Sequence, residues 1–445
     1  MSGASLAGNR PTVQQQASHA HLAQDVSRSP APPLRSRRGH LDAIIVPASR
    51  PASFLQPAIE LAAFLGAQLV VLCSKQAKIE QVAQRVAKTA GGRALIAQIP
   101  NAWAHPQFPS RTSAEKFQRA SANRQSDLSA KRNLGLLLAR LHGWHKIAFV
   151  DDDVTLSQTD NVARLAGQLD QHQVAGMVVR DYPDNSVVCH ARRLAGLWQD
   201  VFVTGAVLGV NCSSLPLSFF PDIYNEDWFF FAKEAAARRL PRVGQARQVP
   251  YDPFASPERA RREEFGDLLA EGLYALMDGE NPDVSLEKQL RDVKASYWSQ
   301  FIDARCEVLT ETMTRLRQFR DRDGEDGRVT SALASLAVAK SQIAETITED
   351  LCANFVHDWL EDLKDWQRFS NSVNNVSSTR EAMSFLRLER WIRAEFGAAE
   401  IDSERLPDPA QDSSRPLVSD RNRRSNRPKG RRNWRSPVGS NPSAS

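Results

Sequence analysis

Cysteine is scarce in this chain: five residues in 445, at positions 73, 189, 212, 306 and 352, odd in number and without paired metal-ligand spacing. That excludes a disulfide framework, and thiols serving as small core residues in a reduced compartment are the expectation. Histidine is missing from 191 to 356. Long apolar runs are missing too. Val201 to Phe220 is twenty residues without a charge, yet it holds Gly205, Gly209, Asn211, Ser213, Ser214 and Pro216. A lone lipid-exposed helix of that composition would be poorly satisfied, so a buried strand followed by a loop is expected there, and no transmembrane segment. No apolar h-region precedes residue 41. A signal peptide is therefore not expected, and the location expected is cytoplasmic, with the membrane periphery as an alternative.

Acid is nearly absent from the two ends. Residues 1–40 carry five Arg and one Asp, and residues 421–445 carry seven Arg, one Lys and no acid, while the whole chain is only +5. The middle is thus acidic, and a nucleic-acid-binding reading of the whole chain loses its main support. The ends are also poor in large apolar residues, so tails over 1–40 and 401–445 are expected to be disordered. The basic C-terminal run suits weak contact with an anionic surface or simple solubilisation. What remains, at 42% apolar and 24% charged residues, has a globular composition.

Apolar periodicity begins at Leu41. Strands are predicted over 41–47, 68–74 and 94–99, and helices over 54–65 and 77–90, with Gly66 and Gly91 as stops. Such a βαβαβ run builds a mainly parallel sheet with helices on both faces. Residues 101–126 read as a surface loop, 128–142 as a helix and Ile147 to Val150 as a buried strand. Beyond it, 160–171 reads as a helix, 174–179, 186–190 and 201–210 as strands, and 229–240 as a helix bounded by Pro241. From 256 to 400 the pattern is long and amphipathic, as over 285–319 and 329–369, without a convincing strand. The expected organisation is a tail (1–40), an α/β domain (41–255), an all-helical unit (256–400) and a basic tail (401–445). The helical unit offers a surface for homo-oligomers. Its Trp298, Trp359, Trp366 and Trp391 read as core anchors.

Chemistry gathers where strands end. Asp151, Asp152 and Asp153 follow the apolar strand directly, and three adjacent carboxylates repel one another unless something offsets them. A divalent cation facing Asp151 and Asp153 would do so, and a solvated acidic turn is the bland alternative. The helix opening at Leu128 carries Lys131, Arg132 and Asn133 in its first turns, a place that favours phosphate. A second acidic pair, Glu226-Asp227, precedes Trp228 and three Phe, surroundings that raise a carboxyl pKa toward the range useful to a general base.

In this order the motifs resemble the inverting, nucleotide-sugar-dependent glycosyltransferases of the GT-A fold, particularly the family-2 type, over roughly residues 41–250. The matching pieces are Val46-Pro47-Ala48-Ser49-Arg50-Pro51, Arg132-Asn133-Leu134-Gly135, Asp151-x-Asp153, Thr204-Gly205-Ala206-Val207-Leu208-Gly209 and Asn225-Glu226-Asp227. The resemblance implies a Rossmann-type mixed sheet, a nucleoside-diphosphate sugar as donor and Mn2+ or Mg2+ as cofactor. It implies that Asp153 ligates the metal and that Asp151 serves the metal shell or the ribose. Pro47, Ala48, Ser49, Arg50, Ser74, Lys131, Arg132, Asn133 and Asp152 would belong to the nucleotide side. Asp227 would be the general base, Glu226 its orienting neighbour, and Gly205, Ala206 and Trp228 would shape the acceptor side. Two departures stand out. Cys73-Ser74-Lys75 replaces the usual Asp after the second strand, and no His occurs between His190 and His357, leaving Tyr251 or Asp252 as substitutes.

Phe149-Val150-Asp151-x-Asp153-Val154-Thr155 also resembles the nucleophile strand of haloacid-dehalogenase phosphatases. That reading would make Asp151 the phosphoryl acceptor, with Lys233 and then Asp267 and Glu271 completing the site. A third reading is a non-catalytic, metal-bound scaffold.

Overall fold

The computed structural model describes residues 19–397 and 402–405, apart from 35, 157, 184, 185, 292 and 325. The C-terminal expectation for residues 406–445 and the N-terminal one for residues 1–18 lie outside the described residues. Among the described residues, eleven strands form a mixed sheet: β1 (Ala23–Asp25), β2 (Ala43–Ala48), β3 (Gln68–Cys73), β4 (Arg93–Gln98), β5 (Lys146–Val150), β6 (Val154–Thr155), β7 (Val174–Val179), β8 (Thr204–Asn211), β9 (Leu240–Gln248), β10 (Arg390–Glu395) and β11 (Asp402–Arg405). Their order is β1-β9-β7-β8-β5-β2-β3-β4-β10-β11, with β6 paired to β9. The centre, β5-β2-β3-β4, is parallel. Between β5 and β7, β8 runs antiparallel to both.

Strand alternation sends side chains to two cores. Ile45, Val70 and Leu72 join the cluster on one face, Ile44, Val46, Leu69 and Val71 the cluster on the other. Helices Gln56–Leu65, Ile79–Lys88 and Thr159–Gln168 contribute to the second cluster. The first is continuous with helices Leu128–His142, Pro257–Gly279, Ala295–Asp323, Gly327–Thr346 and Glu349–Ser372, so the helical stretch shares its core with the sheet. Trp298, Trp359, Trp366 and Trp391 are all buried in it. No helix among the described residues is long and apolar enough to cross a membrane.

Several elements differ from the sequence expectations. Residues 19–40, expected in a disordered tail, include β1, which pairs with β9, and a buried His19. The 101–126 loop contains a helix over Glu115–Ala120, anchored by buried Phe117 and Ala120. The predicted strand at 186–190 is a helix, Val187–Leu194, because the Ser186 hydroxyl accepts the Cys189 N–H as an N-cap and Val187, Val188 and Ala191 fall on one helical face. The predicted helix over 229–240 is two short pieces, Glu226–Phe230 and Ala232–Ala236, and Leu240 opens β9. Pro241 sits near the start of that strand, where a missing N–H is tolerated. The predicted helix over 329–369 breaks at Thr348, whose side chain caps the next helix by accepting the Leu351 N–H.

The 256–400 stretch returns to the sheet. Arg390–Glu395 pairs antiparallel with β4 and buries Trp391, Ile392 and Ala394. Burying Ile392 alone contributes about 1.5–3 kcal/mol. Its three apolar residues are too few for the strand to stand out in the sequence.

Candidate active site

The Asp triplet is a tight turn built by the sheet. Asp151 N–H extends the β5–β8 ladder to Ala206 O (3.0 Å), and Val154 N–H bonds to Asp151 O (3.2 Å). The chain then enters β6, while Val249 N–H bonds to Asp153 O (2.9 Å). Three successive side chains therefore take three directions. Asp152 is buried and accepts the N–H groups of Ser49 (2.7 Å) and Arg50 (2.9 Å) as well as the Arg50 guanidinium. It thereby latches the loop after β2. Asp153 meets Arg50 Nη2 (2.7 Å) and accepts from Gln248 Nε2 (3.2 Å), and burial raises its pKa. Asp151 holds Arg132 Nη2 at 3.0 and 3.2 Å. Burial nevertheless pushes its carboxyl up to about 7.

Arg132 joins this turn to the second acidic pair. Its buried guanidinium donates through Nη1 to Glu226 (2.6 Å) while Nη2 serves Asp151. Gly205 makes room for it: a Cβ there would lie 2.6 Å from Arg132 Nη1 and 2.8 Å from Asp227 Cβ. The Gly205 N–H donates to Asp227 Oδ2 and the Trp228 N–H to Oδ1. Burial first, then the neighbouring Glu226, raises the Asp227 pKa.

Glu226 and Asp227 start a helix of five residues, too short to orient them by itself. Distant residues do so. Asn225 adopts the left-handed conformation, φ +61°, and donates through Nδ2 to Asp267 Oδ1 (3.0 Å). Asp267 is held in turn by Arg305, which also pairs with Glu264 (2.8 Å); all three are buried. One residue earlier, a Cβ on Gly266 would stand 2.3 Å from Tyr224 O, so helix Pro257–Gly279 abuts the turn directly.

These walls enclose a cavity of about 670 Å³. Of the sequence-predicted residues, Pro47, Ser49, Arg50, Lys131, Arg132, Asp151, Asp152, Asp153, Ala206, Glu226, Asp227 and Trp228 line it. Gly205 stands behind Asp227, as described. Ala48 and Ser74 lie beneath it: the buried Lys131 donates to Ala48 O (2.8 Å) and Ser74 Oγ (2.6 Å) and pairs with Asp127 (3.1 Å). Lys131 thus clamps the ends of β2 and β3, with its ammonium already engaged. Asn133 does not reach the cavity. Its amide brackets Phe220, donating to the carbonyl (2.8 Å) and accepting the N–H (2.9 Å).

Sequence reasoning missed most of the cationic rim. Lys75, Arg124, Arg259 and Arg262 line the same cavity, with Gln248; Tyr251 and Asp252, offered in place of a His, line it too. Arg259 and Arg262 are three apart in the opening turns of the long helix Pro257–Gly279, whose N-terminus adds favourable potential for an anion. Arg259 pairs with Glu263 and stacks over Tyr251, 4.3 Å from the ring centre. Arg262 has no hydrogen-bond or ion-pair partner among the described residues. A Ser-Pro helix start followed by Arg259, Arg261 and Arg262 was the signal available in the sequence.

The residues needed by the phosphatase reading are placed elsewhere. Lys233 is exposed, Asp267 belongs to the Arg305 network and Glu271 binds His19 (2.8 Å); none lines the cavity. Among the described residues no three His, Cys, Asp or Glu group around a potential metal position. His357, near Asp358 and Glu361, is exposed, and Asp362 is buried, capping the turn at Ser110, Arg111 and Thr112.

The chain matches no protein-family profile and no curated protein. Among solved structures it is similar to the mannosyltransferase PcManGT from Pyrobaculum calidifontis in complex with GDP-Man and Mn2+. The identity is 15%, over 76% of this chain and 90% of that one, with a TM-score of 0.38. At that level the likeness assigns no activity.

Proposed function

We propose that this chain is a metal-assisted glycosyltransferase that moves a hexosyl group from a nucleoside-diphosphate sugar to an acceptor hydroxyl with inversion. The observation that carries the reading is one cavity with two unlike carboxylate groups, Asp151 and Asp153 on the β5 turn and Asp227 on the short helix, under a rim of Arg and Lys. A diphosphate needs positive charge, and an attacking hydroxyl needs a base; the cavity supplies groups suited to both.

A metal fits as a partial shell. Asp153 and Asp151 supply hard oxygen ligands, fewer than a closed protein cage, and Mg2+-like ions take one or two carboxylates together with substrate phosphates. When bound, such an ion would neutralise charge on the leaving diphosphate. The chain's own residues do the rest. Arg50, paired with Asp152 and Asp153, would become available to phosphate if Asp153 held the cation, and Arg124, Arg259 and Arg262 face the phosphates. Pro47, Ser49 and Arg50 line the nucleoside end. Asp227, ionised and held by two backbone N–H groups, accepts the proton of the acceptor hydroxyl. The acceptor oxygen bonds to the anomeric carbon as the bond to the diphosphate oxygen breaks, and the electron pair leaves with the diphosphate.

A panel of nucleoside diphosphates and their sugars, each with Mn2+, tests this by thermal shift and by donor turnover. Stabilisation by at least one of them is expected. Asp153→Asn should remove that metal-dependent stabilisation. Asp227→Asn should keep it while lowering transfer by about 10²–10⁴-fold. No stabilisation by any nucleotide would overturn the reading.

A further inference from the structure

We infer that the acceptor of this reaction carries its hydroxyl on an apolar, ring-bearing aglycone, and that a second cavity beside the first binds that aglycone. The inference rests on the glycosyltransferase reading for the identity of the reaction, but the second cavity stands on its own geometry. It measures about 580 Å³, well within the range of small-molecule sites.

One helix divides the two cavities. At the start of Leu128–His142, Leu128, Lys131 and Arg132 face the first, whereas Ser129, Ala130 and Asn133 face the second. Those are the two sides that a 3.6-residue period produces. Ser126 and Asp127, just before the helix, belong to both walls. The partition continues through Asp222, which accepts from Gln118 (3.1 Å) and lies 3.9 Å from Arg124, itself 3.9 Å from Glu226. The acidic pair is thus parted from the second cavity by the helix start and by these side chains, and the two cavities share a wall at Ser126 and Asp127.

The two chambers differ in chemistry. Seven Lys and Arg side chains line the first, and none lines the second. In their place stand Trp103, Phe108, Phe219, Phe220 and Trp366, and a His105 that burial keeps below its ordinary pKa, hence neutral. Diphosphate and sugar have no counter-charge there, so the donor is not the occupant. Ring faces and edges favour flat apolar groups over extended chains. The polar groups of this chamber are mostly satisfied internally: the Ser129 hydroxyl donates to Pro221 O (2.8 Å), and Asn133 brackets Phe220. Trp366 is 1% exposed, its ring forms part of the chamber wall, and its buried indole N–H has no hydrogen-bond partner among the described residues.

The test compares 4-nitrophenyl glycosides, octyl glycosides and the corresponding free sugars, by calorimetry without donor and by transfer with it. The 4-nitrophenyl ligands should bind about tenfold or more tightly than free sugars and show a correspondingly lower KM. Ala130→Phe, which fills the chamber from a residue outside the first cavity, should abolish that advantage without changing nucleotide-induced stabilisation. Trp366→Phe trims the indole to a single six-membered ring, and should weaken aryl binding severalfold while nucleotide-induced stabilisation persists. Equal binding of aryl glycosides and free sugars, or an octyl preference, overturns the inference. If nucleotides fail to stabilise the protein but aryl ligands bind and Ala130→Phe blocks them, the glycosyltransferase reading falls and the apolar site stands.

Discussion

The two acidic groups of the cavity are held in opposite ways. Asp151–Asp153 is fixed by its immediate neighbours, a ladder bond to β8, a turn bond within the triplet and the latch of Asp152 on Ser49 and Arg50. Glu226–Asp227 rides on five helical residues and takes its orientation from afar, through Asn225 to Asp267 and Arg305, and through Gly205 behind it. An acidic turn can be written in one strand of sequence. A carboxyl with a raised pKa has to be assembled by the fold, because burial is a tertiary property. The helical stretch takes part in that assembly, since it supplies the Asp267–Arg305 pair that holds the turn before the base.

Arg132 bonds to both groups, and its removal should have the largest effect. Arg132→Met leaves Glu226 and Asp227 buried, and Asp151 half-buried, without their guanidinium, a loss of roughly 3–5 kcal/mol. In the native protein Asp151, raised to about 7, binds its proton more tightly when folded, so its contribution to stability is lost as pH rises from about 4 through about 7. Without Arg132 the pKa values of Asp151 and Asp227 rise further. Urea midpoints should therefore show the greatest deficit above neutrality and recovery on acidification. A deficit independent of pH would mean that Arg132 acts through packing alone.

The pH profile separates the groups in activity. Asp227 must be ionised to accept a proton, and its pKa is raised, so transfer should fall about tenfold per unit as pH drops below a point above the ordinary carboxylate range. Glu226 is one cause of that raised value. Glu226→Gln should move the acid limb of kcat/KM to lower pH, and an unmoved limb would assign the base elsewhere.

How much of this was legible in the sequence follows the same division. The strand Ile147–Val150 and its Asp triplet stand out because a parallel central strand is apolar on both faces. Helix Leu128–His142 and its Gly143 stop stand out by periodicity and a left-handed cap. The role of Lys131 does not: a charged residue at a helix start gives no sign that it will be buried as a clamp between β2 and β3. Nor does the rim at Arg259 and Arg262, whose meeting with Arg124 depends on the docking of the long helix. Val187–Leu194 reads as a strand because two adjacent valines suit one until the Ser186 cap is counted.

Asn225 tests the remote support directly. Asn225→Ala loses the bond to Asp267 and meets the left-handed penalty of roughly 1–2 kcal/mol, whereas Asn225→Gly loses the bond without the strain. Activity should fall more in the alanine variant, in kcat more than in donor KM. Nucleotide stabilisation, which belongs to the Asp triplet, should persist in both. Equal loss of nucleotide binding would join the two groups into a single structural unit.

Arg262 should give the smallest effect and the cleanest reading of the rim. It lines the cavity with no partner among the described residues, so Arg262→Ala disrupts no ion pair and should change the unfolding free energy by no more than about 0.5 kcal/mol. If it faces phosphate, donor KM should rise about two- to fivefold, equivalent to no more than about 1 kcal/mol, and the rise should shrink with added salt. The acid limb set by Asp227 should stay in place, because Arg262 is not among the causes of its raised pKa. A change in kcat at saturating donor, with KM unmoved, would instead place Arg262 on the acceptor side of the cavity.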